Sequence, residues 1–168
     1  MKRTSTIVLI TTGVLIVIIS FGWLFYEKKT ENPALVHIPD NLAGLMLIDQ
    51  MTGKQAALNF SQLHGKQFPL TSGAVGIYGN HQATLWIAGT PFKTMAAEMI
   101  VAMRDKIAEG RSPFKATGEI SSNGRIVYQL EGMEQKHYYF QSKNLIIWLA
   151  VDSDFADSAL QQLQEVYP

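Results

Sequence analysis

The first apolar run of the chain is continuous, because residues 6–26 form a stretch of 21 positions without a charged side chain. A helix rises about 1.5 Å per residue, so this run covers roughly the 30 Å of a bilayer's hydrocarbon layer. Trp23 and Tyr26 lie at its far end, followed by Lys28 and Lys29. These residue types favour the membrane–water interface. The pattern therefore predicts a transmembrane anchor with these four residues at the interface.

A cleaved signal peptide is the main alternative to an anchor, but its apolar core has about 7–15 residues and a small-residue cleavage site follows it. The run here is longer and no such site follows. The short tail at residues 1–5 carries Lys2 and Arg3, whereas the two lysines after the run are offset by Glu27. Because basic residues favour the cytoplasmic side, we expect the tail inside and the remaining chain outside, in a bacterial cell envelope.

After a proline-containing linker at residues 27–40, the pattern changes to short alternating runs separated by turn residues and to stripes at helical spacing. Tight turns between successive alternating runs favour antiparallel pairing. Residues 41–168 thus predict one α+β domain with a mainly antiparallel sheet of six or seven strands. About three helices are expected to pack on one face of that sheet. The strand runs are 42–50, 73–78, 83–88, 114–121, 125–130, 136–141 and 144–151, and the helical stripes are 54–64, 90–107 and 152–166.

Charge and composition exclude some classes of partner. The whole chain has 14 basic and 14 acidic side chains, and setting aside Lys2, Arg3, Lys28, Lys29 and Glu27 leaves 10 against 13, a formal charge of −3. Nucleic-acid binding selects basic patches, so we expect no nucleic acid partner. The chain has no cysteine, which excludes thiolate metal sites and thiol nucleophiles.

No linear motif indicates catalysis, a cofactor or a metal. The four histidines, His37, His64, His81 and His137, lack the spacing of a helix-borne metal pair. Asp152, Asp154 and Asp157 resemble the start of a calcium loop, but the glycine and glutamate that complete it are missing. We therefore expect no catalytic residue, no cofactor and no metal site.

One aromatic cluster stands out as a candidate partner or ligand face. Trp86 and Trp148 lie on two central strands, and His137 and Tyr139 lie on a neighbouring strand. If all helices cover one face of the sheet, an alternating set of these side chains is left uncovered, and uncovered aromatic surface binds partners. The alternative is that the second face is also closed and that the rings are core.

These observations favour a single-pass membrane protein whose outer domain is a non-catalytic accessory or scaffold module that binds protein partners at the membrane. The alternative is a membrane-tethered ligand-binding or sensing domain, with a small molecule held between the aromatic face and the loop at residues 65–71. An enzyme assembled from dispersed residues such as His137, Glu119 and Asp49 is a third hypothesis.

Overall fold

The computed structural model describes residues 2–122 and 124–168. Met1, in the predicted tail, and Asn123, in the predicted turn of one hairpin, lie outside the described residues. The chain begins with helix α1, Lys2–Glu31. Among the described residues this is the one helix long and apolar enough to cross a membrane: its segment Ile10–Glu31 has a mean hydropathy of 1.7, and none of it is buried.

The rest of the chain forms an α+β domain around an antiparallel sheet. The described residues contain nine strands, two more than the upper number predicted, because two strands of only two residues each join the sheet. The strands are β1 (Ala34–Leu35), β2 (Asn41–Leu42), β3 (Leu45–Thr52), β4 (Ser72–Tyr78), β5 (Ala83–Gly89), β6 (Lys115–Ser122), β7 (Arg125–Gly132), β8 (Gln135–Ser142) and β9 (Leu145–Val151). The helices after α1 are α2 (Gly53–His64), α3 (Lys93–Ala108) and α4 (Ala156–Val166), the last preceded by a 3-10 turn, Ser153–Phe155.

The sheet consists of two runs of strands that are sequential along the chain, β2–β5 and β6–β9, and the two runs meet at β5 and β9. Its order is β2-β3-β4-β5-β9-β8-β7-β6, and β1 pairs in parallel with β4. Helix α3 carries the chain from β5 to the far edge at β6, from which three hairpins return to the centre. Trp86 of β5 lies opposite Trp148 of β9, and Tyr139 of β8 lies opposite Trp148 on the other side.

Helices cover both faces of this sheet, so the prediction that they pack on one face is wrong. Leu85 and Ile87 of β5 belong to a core cluster with Leu160 and Leu163 of α4. The intervening Trp86 packs instead with α2 residues. Since successive strand residues point to opposite faces, α4 lies on one face, and α2 and α3 lie on the other. The physical reason is that the central strands are apolar on both sides, and each side must be buried.

A glycine allows close contact on the face that α2 and α3 cover. A Cβ atom at Gly73 of β4 would lie 3.3 Å from the Cβ atom of Ala56 and 3.4 Å from the Phe60 ring. Helix α2 therefore lies directly on the backbone of β4. We call this side of the sheet the α2–α3 face and the opposite side the α4 face.

The segment at residues 27–40, which the sequence predicts to be a flexible linker, is ordered. Its first part continues α1 to Glu31, and β1 then pairs with β4. Two buried tyrosines of the domain fasten the rest: Tyr78 Oη donates to the Pro39 carbonyl at 2.9 Å, and Tyr167 Oη donates to the His37 carbonyl at 2.7 Å. Only Asn32 and Pro33 thus separate helix α1 from the sheet.

Candidate functional site

The aromatic cluster predicted from the sequence forms a continuous ladder across three strands of the α2–α3 face. The rings of Tyr128 and Tyr139 stack with centroids 4.7 Å apart, and those of Tyr139 and Trp148 stack at 5.2 Å. Phe114, from the segment after α3, lies 5.2 Å from Trp148 and 4.7 Å from His137. The register of β7, β8 and β9 explains this ladder, because Tyr128, Tyr139 and Trp148 occupy directly paired positions.

His137 is held by two hydrogen bonds that determine its tautomer. The Trp148 indole Nε1–H donates to His137 Nδ1 at 3.1 Å, and His137 Nε2 is 2.9 Å from the Gly132 carbonyl oxygen. An indole can only donate and a carbonyl can only accept, so the ring is the neutral Nε2–H form. Burial lowers the pKa of His137, and the hydrogen bond to Gly132 opposes this effect. The imidazole therefore resists protonation.

The four residues of the predicted face differ in their access to solvent. His137 and Tyr139 are buried, with 3% and 1% of their surfaces exposed, whereas Trp86 and Trp148 are half-buried. Burial also raises the pKa of the Tyr139 phenol. Helix α3 packs over the same cluster with Ala96 and Ile100. His137 and Tyr139 therefore have the contacts of core residues, and of the four residues only Trp86 and Trp148 are partly accessible to solvent.

The loop at residues 65–71 closes over the other side of the tryptophan pair. Leu70 is buried and Phe68 is half-buried in the cluster that contains Trp86, Val75 and the α2 side chain Phe60. Side chains of the loop therefore contact the aromatic face where the alternative hypothesis places a small-molecule ligand.

The four predicted interface residues lie in the last three turns of α1. The rings of Trp23 and Tyr26 are 6.0 Å apart and tilted, and Lys28 and Lys29 follow in the final turn. All four residues belong to helix α1, which ends at Glu31, close to the first strand of the domain. The helix therefore fixes where these residues lie relative to the sheet.

Two loops of the domain lie beside this part of α1. A cleft of about 280 Å³ is lined on one side by Gly22, Phe25 and Lys29, and on the other by the Thr90–Phe92 loop and Asn144. Thr90 is fully buried, and its N–H donates to the Asn144 carbonyl at 2.9 Å, while the Asn144 side chain donates back to the Thr90 carbonyl at 2.7 Å.

A larger cleft of about 510 Å³ lies next to these loops, between α3 and the strands β7 and β8. Three cationic side chains line it, those of Lys93, Arg125 and Lys143. Its apolar lining comes from Ile100, Val101, Ile126 and Tyr128. No described residue that lines it has a carboxylate side chain. We call this site the basic cleft.

Sequence reasoning missed the basic cleft because its three cations are isolated along the chain, at the start of α3, the start of β7 and the β8–β9 turn. The only available signal is that Lys93 and Arg125 directly follow a loop or turn and Lys143 lies within one, because the topology can bring such segments together. The three cations come together because α3 connects the central strand β5 to the edge strand β6, and no local sequence pattern predicts this connection.

Within the part of the chain that the structure describes, no three histidine, aspartate or glutamate side chains come close enough to hold a metal ion. No protein-family model matches this chain, and neither a curated protein nor a solved structure is significantly similar to it.

Proposed function

We propose that this chain is a single-pass membrane protein whose domain is a non-catalytic accessory module that binds a protein partner beside the bilayer, outside the cytoplasm. One observation carries the proposal: the apolar helix α1 leads into the sheet through only Asn32 and Pro33. A domain attached so closely is confined to a thin layer at the membrane, and it presents the same surfaces in the same orientation. Such placement suits a module that supports a neighbouring membrane complex.

The part of β3 that extends beyond its short pairing with β2 is an open sheet edge, which supports a protein as the partner. From Leu47 onward its described backbone pairs with β4 on one side, and on the other side the Leu47 N–H bonds the Asp40 carbonyl. Met46 and Ile48 are 72% and 55% exposed on this strand. Exposed edge strands offer backbone donors and acceptors that another polypeptide can pair with, and apolar side chains beside them add contact area.

In-cell cross-linking with mass spectrometry on the tagged full-length protein tests this function. We expect one heteromeric membrane or envelope protein to be recovered reproducibly. The double variant Met46→Lys/Ile48→Lys should lose most of that recovery, because it places two charges on the proposed contact edge.

The matched control is Leu58→Lys/Leu63→Lys, which adds the same charges at two exposed apolar positions of α2, 54% and 62% accessible. Its partner recovery should equal that of the wild type. Recovery of self-links only, or equal recovery with both double variants, would contradict the proposal.

A further inference from the structure

We propose that the basic cleft binds the headgroup of an anionic phospholipid from the leaflet next to the domain. This inference rests on the proposed function only in that α1 must lie in a membrane. It adds a second contact between the domain and the bilayer, made by side chains of the domain itself.

No described carboxylate forms an ion pair with the three cations of the cleft. Among the described residues the ion pairs join Arg104 to Asp105 and Lys106 to Glu109, so Lys93, Arg125 and Lys143 have no carboxylate partner. Arg125 Nη1 donates to the Tyr167 carbonyl, and its guanidinium lies 5.4 Å from the centre of the Phe140 ring. Both contacts fix the position of the guanidinium and leave its charge available to an anion.

One side chain, the amide of Gln141, hydrogen-bonds to the backbone of both lysines. The Gln141 amide donates to the Lys93 carbonyl at 2.8 Å and to the Lys143 carbonyl at 2.7 Å. This bridge joins the start of α3 to the β8–β9 turn. Pro168 lies at the side of the cleft, where its backbone oxygen accepts a hydrogen bond from Ser142 Oγ at 2.7 Å.

The position of the cleft relative to α1 indicates a membrane lipid as the anion. Phe92 and Asn144 line the small cleft against α1, and the next residue after Phe92 and the residue before Asn144 are the two lysines. Gly22 and Phe25 on the opposite wall belong to the predicted span, so the Phe92 loop reaches the level of the interface. Phe92 is 60% exposed there. The cations thus lie at headgroup height above an apolar loop tip.

The lining of the cleft also fits an amphiphile. Val101 and Ile126 are 43% and 48% exposed in the structure. A ligand that carries a phosphate and an apolar chain would cover these side chains while its phosphate meets the cations, whereas a free inorganic anion would leave them in water.

Native mass spectrometry of the full-length protein in detergent micelles, titrated with phosphatidylglycerol or with phosphatidylcholine, tests the inference. We expect the wild type to retain phosphatidylglycerol in preference to phosphatidylcholine. An interfacial cation contributes about a fivefold change in affinity, so Lys93→Gln/Lys143→Gln should weaken binding roughly 25-fold. Both lysines are exposed, so this variant keeps the fold, and Arg125 with its structural contacts remains in place.

The charge-matched control is Arg111→Gln/Lys115→Gln, since both residues are exposed and lie at the end of the sheet away from α1. It should bind phosphatidylglycerol as the wild type does. Equal loss in both variants, no loss in either, or equal retention of the two lipids would overturn the inference. Displacement of the lipid by the same concentration of inorganic phosphate would overturn the assignment to a lipid.

Two further readouts separate this inference from the proposed function. Release of the wild type from membranes by alkaline carbonate would show that α1 is not an anchor, and the proposed function would fail together with the premise of this inference. Normal anchoring and lipid preference without any recovered protein partner would instead refute the proposed function and leave the lipid site intact.

Discussion

At the scale of single residues, the two central tryptophans occupy paired positions but differ in one hydrogen bond. Trp148 donates to His137 Nδ1, whereas the structure describes no side-chain hydrogen bond for Trp86. Replacing Trp148 with phenylalanine leaves the buried His137 nitrogen without a donor, and such an orphaned group costs about 1–3 kcal/mol. We expect Trp148→Phe to lower the free energy of unfolding in urea by that amount beyond the effect of Trp86→Phe. Equal losses in the two variants would contradict a structural role for this bond.

The protonation of His137 makes a prediction about pH. Burial lowers its pKa in the folded state below the ordinary value of about 6.5, so the unfolded chain binds the proton more readily. The contribution of the neutral His137 to the free energy of unfolding is therefore complete above about pH 6.5, and it is lost as the pH decreases from there toward the folded-state pKa. Protonation of Nδ1 would also abolish its role as acceptor for Trp148.

Urea unfolding of the full-length protein between about pH 7.5 and 5.5 checks this sign. We expect the wild type to lose stability on acidification. His137→Gln offers an amide oxygen to Trp148 and an amide N–H to Gly132 without a titrating group, so its stability should change less over the same range. A steeper acid dependence in His137→Gln than in the wild type would refute the assignment.

At the scale of elements, the β7–β8 hairpin has a turn whose sequence does not match its geometry. Met133 and Glu134 have φ values of +53° and +65°, the left-handed region in which asparagine and glycine are preferred. Non-glycine residues in this region cost about 1–2 kcal/mol each. Met133→Asn/Glu134→Gly should therefore raise the free energy of unfolding by about 1 kcal/mol, after the added chain entropy of glycine is subtracted. A lower unfolding midpoint in urea would contradict this interpretation of the turn.

Some elements of the fold are determined by the local sequence pattern, and others are not. Helix α2 and the β4–β5 and β8–β9 hairpins lie where alternation, helical spacing and turn residues predict them, because these signals are local. The start of α3 differs: the predicted helical stripe begins at Thr90, a residue type favoured as an N-cap, but the helix begins at Lys93. Thr90 is buried, and its hydroxyl lies within hydrogen-bonding distance of the Phe92 and Asn144 carbonyls. A tertiary contact with a residue 54 positions away thus replaces the local cap.

At the scale of the whole molecule, the sequence predicts the anchor and the aromatic strands but not their surroundings. The pairing of β5 with β9 joins residues about 60 positions apart, such as Trp86 and Trp148, and alternation alone does not choose between partners. The side of the sheet on which α4 lies is equally non-local. For this reason the sequence leaves open whether the aromatic rings form an uncovered face or a core, and in the structure α3 covers them, while the basic cleft, whose cations are isolated in the sequence, is formed by the topology.

The short connection between α1 and the sheet makes a prediction about the placement of the domain. Because only Asn32 and Pro33 separate α1 from β1, an α1 that spans a bilayer would hold the Phe92 loop at its surface, and the β7–β8 turn lies at the opposite end of the sheet. The chain has no cysteine, so Phe92→Cys and Met133→Cys each give a single labelling site. In vesicles containing nitroxide-labelled lipid, a fluorophore at position 92 should be quenched strongly and one at position 133 weakly.

Insertion of about ten glycine and serine residues between Asn32 and Pro33 adds a flexible segment of roughly 17 Å, longer than the headgroup layer that the loop must reach. The domain should still fold, since β1 pairs with the sheet after the insertion point, but quenching at position 92 should fall toward the level of position 133. The loss should be partial if the basic cleft holds a phospholipid, and it should become complete when Lys93→Gln/Lys143→Gln is added. Equal quenching at the two positions before insertion would contradict the placement, because a freely tumbling domain does not distinguish its two ends.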